Sequence, residues 1–153
     1  MKMHRRLVIA VIVLIVIGAA FTFWPKAAEE EEEIEGAEIP APPEGYTQVI
    51  AFKGRETHWI SPTFSVKARE WRVRFIVVCY EWNEYAERRG GGLFRALISY
   101  NGHQTLYNFE QTARVQRGDA VKSFSSPAET VQISLETNDL VHSWAISVEA
   151  KVD

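Results

Sequence analysis

Asn101-Gly102 constrains the fold more than any other pair of residues in the chain. It stands between two runs, Leu93–Tyr100 and His103–Glu110, that read as strands. Asn-Gly in that setting predicts a type I′ hairpin turn, because both central residues need positive φ and this pair tolerates it. A two-residue closure also fixes the register. Tyr100 faces His103, Ile98 faces Thr105, Ala96 faces Tyr107 and Phe94 faces Phe109. These pairs share one face and are mostly bulky, as stabilising cross-strand pairs are.

The remainder of Tyr46–Asp153 shows the same period of two and little helical periodicity. Further strands are predicted over Tyr46–Lys53, Thr63–Val66, Glu70–Tyr80, Ala113–Val115, Val121–Phe124, Thr130–Thr137 and Ser143–Val152, with a turn at Arg117-Gly118-Asp119. In Glu70–Tyr80, Trp71, Val73, Phe75, Val77 and Cys79 share one face. The other face starts with Arg72 and Arg74 and turns apolar at Ile76 and Val78. That pattern predicts a central strand covered on both faces at its far end, with the arginines paired to glutamates of neighbouring strands. Val131, Ile133 and Leu135 point inward in one late strand, and Trp144, Ile146 and Val148 in the other. About eight short antiparallel strands predict an all-β fold, a jelly-roll-like β-sandwich. Cys79 is the one cysteine, so no intrachain disulfide forms, and its apolar surroundings mark it as a small buried hydrophobe.

Residues 1–24 have a different character. Lys2, Arg5 and Arg6 precede Leu7–Trp24, eighteen residues without a charge. At about 1.5 Å per residue they span roughly 27 Å, close to a bilayer core of about 30 Å. Lysine and arginine on one side, Trp24 at the far end and glutamates beyond predict a retained single-pass anchor in contact with membrane lipid. The N-terminus is then cytoplasmic and the C-terminal domain extracytoplasmic. The alternative is a secretory signal cleaved after Gly18-Ala19-Ala20, which would leave Phe21 as the new N-terminus. Residues 25–45 hold one lysine, eight glutamates and most of the prolines, and read as an extended, disordered acidic linker. The net charge of −3 therefore belongs to the linker. Residues 46–153 are balanced at +1, which gives no electrostatic case for nucleic acid.

Phe52-Lys-Gly54, Thr63-Phe64-Ser65-Val66, Glu70-Trp71-Arg72-Val73 and the closing Trp144-Ala-Ile146-Ser-Val148-Glu149 resemble a type of small prokaryotic envelope domain. Those domains follow a signal or anchor and close with a similar Trp-x-Ile/Val-x-Val-Glu strand. The resemblance implies a β-sandwich in the cell envelope. It implies no reaction and assigns no catalytic residue.

Chemistry-bearing motifs are few. His58, His103 and His142 form no local metal-ligand pattern, and no nucleophile elbow, phosphate loop or cofactor motif occurs. Asp119, Glu129, Asn138 and Asp139 fall in predicted turns, where Asx side chains bond local backbone. We expect no enzyme, no metal and no cofactor. Glu81–Gly92 is longer than a hairpin needs, carries Trp82, Tyr85, Arg88 and Arg89 and ends in three glycines. Aromatics and arginines on a loop are the usual anchors of a binding surface. Trp59 either adds a second aromatic patch or lids the core. The expectation is a membrane-anchored binding or assembly module whose partner is an envelope protein or a glycan. The alternative is a purely structural or accessory subunit of an envelope assembly, and third comes a carbohydrate-active enzyme, since sandwich glycosidases build sites from distant strands.

Overall fold

The computed structural model describes residues 34–80, 88, 90–110 and 117–152. The chain divides into two units, residues 1–33 and 34–153, and the description concerns the second. The expected anchor over Leu7–Trp24 and the expected strand over Ala113–Val115 lie outside the described residues, among which no helix is long and apolar enough to cross a membrane.

Nine strands form among the described residues: β1 (Tyr46–Gly54), β2 (His58–Ile60), β3 (Phe64–Val66), β4 (Trp71–Cys79), β5 (Leu93–Tyr100), β6 (His103–Glu110), β7 (Arg117–Phe124), β8 (Ala128–Thr137) and β9 (Val141–Lys151). All pairings are antiparallel. One sheet runs β1-β9-β4-β7. The other runs β2-β8-β5-β6, with β3 also on β8. The chain crosses between sheets after β1, β3, β4, β6, β7 and β8, which is the connectivity of a jelly roll. The inner faces meet in one core. β4 gives it Trp71, Val73, Phe75 and Val77, and β9 gives Trp144, Ile146 and Val148. β8 contributes Val131, Ile133 and Leu135, and β5 contributes Phe94, Ala96 and Ile98.

The hairpin register is the expected one, with Tyr100↔His103, Ile98↔Thr105, Ala96↔Tyr107 and Phe94↔Phe109. Asn101 has φ 46° and Gly102 φ 79°, as type I′ geometry demands. The strand lying along β8 breaks at Pro62, which adds β2 to the expected set. On one side β2 pairs with Leu135 and its neighbours, and on the other β3 pairs with Val131 and Ala128. Ser61 keeps the break in register: its N–H donates to the Ile133 carbonyl (2.8 Å) and its Oγ accepts from the Ile133 N–H (2.9 Å).

Two expectations require correction. Arg117-Gly118-Asp119 is not a turn. It is the start of β7, paired with Val78, Val77 and Ile76. Gly118 is tolerated there because β7 is an edge strand with one neighbour. Nor is the acidic segment a free tether throughout. Residues 34–45 have no regular structure, but Ile34, Ala37 and Ile39 pack against Ile76, Val78 and Ala145 on the outer face of the first sheet. The Ala37 N–H donates to Ser143 Oγ (2.8 Å) near the start of β9. At the other end of β9 the Val152 N–H donates to the Gly45 carbonyl (2.9 Å). The segment is thus a strap running the length of β9. It ends in a Pro43–Tyr46 turn closed by Tyr46 N–H to Pro43 O (3.1 Å), with Gly45 at φ 81° in the position where a type II turn needs positive φ.

The strap's face contains the domain's buried charge. Glu149 is 0% exposed, and its Oε2 accepts from Arg72 Nε at 2.6 Å, while Arg74 Nε lies 3.7 Å from Oε1. The expected pairing of these arginines with a neighbouring strand is therefore met by β9.

Candidate functional site

A cleft of about 510 Å³ opens at one end of the sandwich, on the side where the edge strands β6 and β7 face each other. That volume is in the range of small-ligand sites. Its wall is assembled from Tyr46 at the start of β1, Glu70 and Trp71 at the start of β4, Tyr100 ending β5, Thr105 on β6, and Lys122 through Ser126 at the end of β7 and beyond. The strap begins at the opposite end. Gly36 lies beside Ser143, which pairs with Val78, seven residues and about 23 Å along β4 from Trp71.

The aromatic part of the wall is one interlocked group. Trp71 stacks on Phe124 at 4.0 Å between centroids, and Tyr100 meets Phe124 edge-on at 4.9 Å and Trp71 at 6.2 Å. Trp71 is 1% exposed and forms the floor, whereas Tyr100, Phe124 and Tyr46 are half-buried and present ring surface. Behind Tyr46 the Arg72 guanidinium lies over the ring, 4.1 Å from its centroid.

The loop Ser125–Pro127 is held from both sides. Trp71 Nε1 donates to the Ser126 carbonyl (2.7 Å). Asn101 Nδ2 donates to the Pro127 carbonyl (2.9 Å), and Asn101 Oδ1 accepts from the Glu129 N–H (2.9 Å). The residue that sets the hairpin turn therefore also docks that hairpin onto the loop, fixing Tyr100 relative to Ser125 and Ser126. A wall set in advance costs little ordering when a ligand arrives.

Besides the tyrosine phenols, the polar groups are four aliphatic hydroxyls, Thr105, Ser123, Ser125 and Ser126, and two charges, Glu70 and Lys122. Glu70 is engaged: Lys151 Nζ lies 2.7 Å from its Oε2. Lys122 pairs in register with Val73, and Phe124 with Trp71, so Lys122 projects from β7 toward the inner side of the sheet. An inward lysine on an edge strand also hinders edge-to-edge association.

Of the residues singled out from sequence, Trp59 and Arg88 are among those described. Trp59 packs between Phe52 (4.8 Å) and Trp144 (4.9 Å), so it closes the core and is not part of the cleft. Arg88 is exposed. Trp82, Tyr85 and Arg89 lie outside the described residues. Asn138 performs the expected turn role, with Oδ1 accepting from Leu93 N–H (3.1 Å) and Leu140 N–H (3.3 Å), and Nδ2 donating to the Gly91 carbonyl (2.9 Å). No group of three or more His, Cys, Asp or Glu side chains could hold a metal ion among the described residues. Burial pushes the Cys79 thiol up to about 11, which makes it a poor nucleophile. Burial, and then the Asp119 carboxylate, push the Tyr107 phenol up.

No protein-family model and no curated protein matches the chain. Among solved structures it is similar to TmCBM61 in complex with β-1,4-galactotriose, at 14% identity over 64% of this chain and 67% of that one, with a TM-score of 0.41. It is also similar to Broad Bean Stain Virus (9% identity, 60% and 58%, TM-score 0.37) and to the EclA C-terminal domain, a sugar-binding protein (5% identity, 80% and 86%, TM-score 0.36).

Proposed function

We propose that this chain is a binding module that takes a glycan in the cleft between Tyr100, Phe124 and Lys122. The observation that carries the reading is the composition of one prearranged wall: partly exposed aromatic rings beside four hydroxyls, a lysine and a carboxylate. A sugar has the matching duality, with an apolar face of C–H groups for the rings and hydroxyls for the polar groups. The glycan reading is joined to the anchor and envelope location expected from residues 1–24, in keeping with the resemblance to envelope domains, and with a role in capture and not in catalysis. Titration of the full-length chain with a panel of neutral and acidic oligosaccharides tests it. Saturable binding that Tyr100→Ala weakens about tenfold or more supports the reading, and binding indifferent to Tyr100→Ala overturns it.

A second reading, assembly with another protein, rests on the outer face of the second sheet. Ile60, Ser134, Leu97 and Leu106 lie in one row across β2, β8, β5 and β6. Ile60 is 65% exposed and Leu106 55%, which makes an apolar stripe ending at the β6 edge. Light scattering of the chain with and without Leu106→Glu distinguishes it: an oligomer lost in the variant favours assembly.

A further inference from the structure

We infer that the cleft selects a carboxylated saccharide over its neutral counterpart, with Lys122 pairing with the carboxylate. This rests on the glycan reading of the cleft.

Glu70 is the one carboxylate among the described residues lining the cleft, and Lys151 engages it at 2.7 Å. Lys122 lines the same cleft with no carboxylate in ion-pair range among the described residues. Its place on the Phe124 side of β7 gives it a short route to any ligand resting on Phe124 and Tyr100. One layer behind, Arg72 backs Tyr46, and Arg72 and Arg74 together face the single carboxylate of Glu149. Lys122 sits on a concave wall, where field lines are focused and an anion is attracted. The hydroxyls of Thr105, Ser123, Ser125 and Ser126 suit either kind of sugar, so the charge is what discriminates.

The alternative is that Lys122 serves only to keep the β7 edge from pairing with another chain. The two roles separate experimentally. The full-length chain is titrated with uronate oligomers (trigalacturonate and short glucuronan) and with the same oligomers after full methyl esterification, which removes the charge and keeps the skeleton. The acidic forms are expected to bind about tenfold or more tightly at low salt. That advantage should shrink as sodium chloride approaches 0.5 M, since an exposed pair is screened. Lys122→Gln should abolish the preference of acid over ester. Tyr100→Ala should weaken both forms alike. Equal affinity for acid and ester, or a preference that survives Lys122→Gln, overturns the inference and leaves the glycan reading standing. Failure of every oligomer, acidic and esterified, to bind at millimolar concentration overturns the inference, and failure of the whole neutral and acidic panel overturns the glycan reading with it. Self-association of Lys122→Gln with the acid preference intact assigns Lys122 to edge protection alone.

Discussion

Glu149→Gln removes one negative charge without changing shape, at the position where the fold holds its charge most tightly. The carboxylate is 0% exposed, and its two partners, Arg72 and Arg74, are each 16% exposed. With glutamine, Arg72 Nε loses a charge-assisted bond of 2.6 Å and Arg74 loses its counter-ion at 3.7 Å. The new amide also brings a donor into a cluster that already has buried donors without acceptors, Arg72 Nη2 and Arg74 Nε. Breaking a buried ion pair by removing one partner costs about 3–5 kcal/mol. The arginines retain some water access, so the lower half of that range, about 3 kcal/mol, is expected. For a domain of this size that lowers the melting temperature by roughly 10 °C. Urea unfolding is the cleaner assay: the midpoint should fall with the slope unchanged, as for a loss of stability without a change in exposed surface. Arg72→Met should cost more than Arg74→Met, because Arg72 makes the short bond. The apolar triple replacement Arg72→Met, Arg74→Met and Glu149→Leu should recover most of the loss. A cost below about 1 kcal/mol for Glu149→Gln would refute the reasoning, because it would mean that water reaches the cluster freely.

Three further outcomes are expected. Gly102→Val should destabilise the fold by roughly 1 kcal/mol or more, because a β-branched residue resists the φ of 79° found there; unchanged thermal melting would count against the turn's role. A fragment beginning at residue 34 should be more stable than one beginning at residue 46 by about 2–4 kcal/mol, since the strap's Ile34 and Ile39 cover Ile76, Val78 and Ala145; equal unfolding midpoints would show the strap to be dispensable. Burial first, and the Arg55 charge second, lower the His142 pKa below its ordinary 6.5, so the folded chain binds fewer protons than the unfolded one in that range. Its contribution is complete above pH 6.5 and is lost as pH falls from there through the folded value. His142→Gln should therefore flatten the decline in melting temperature on the acid side, and an unaltered decline would contradict this.

The parts of the fold legible in the sequence were those in which a local rule and the tertiary environment agree. Asn101-Gly102 specifies both a turn and a register, and the bulky pairs on one face of β5 and β6 admit no one-residue slip. The start of β7 reads as a turn because glycine and aspartate signal turns, yet an edge strand with a single neighbour accepts both. β2 is three residues long, too short for a period of two to register. The strap was hidden by its glutamates. Its signal lay on the partner: Ile76 and Val78 turn the outer face of a central strand apolar, and such a face needs a cover, which Ile34, Ala37 and Ile39 supply. The cleft carries no sequence motif because its wall is gathered from the ends of separate strands. Lys122 could have been singled out as the one charge on the β7 face shared by Gly118, Ala120 and Phe124, but only with the strand's true start in hand.

The central claim is that ligand enters at Tyr100, Phe124 and Lys122. Backbone amide shifts of the full-length chain, followed by NMR during titration with the oligosaccharide panel, test it most directly. The account predicts saturable shifts at Tyr100, Thr105 and Lys122 through Ser126, with Trp59 and Ile60 unmoved. Saturable shifts centred on Ile60, Leu97 and Leu106, or an unchanged spectrum across the panel, would contradict it.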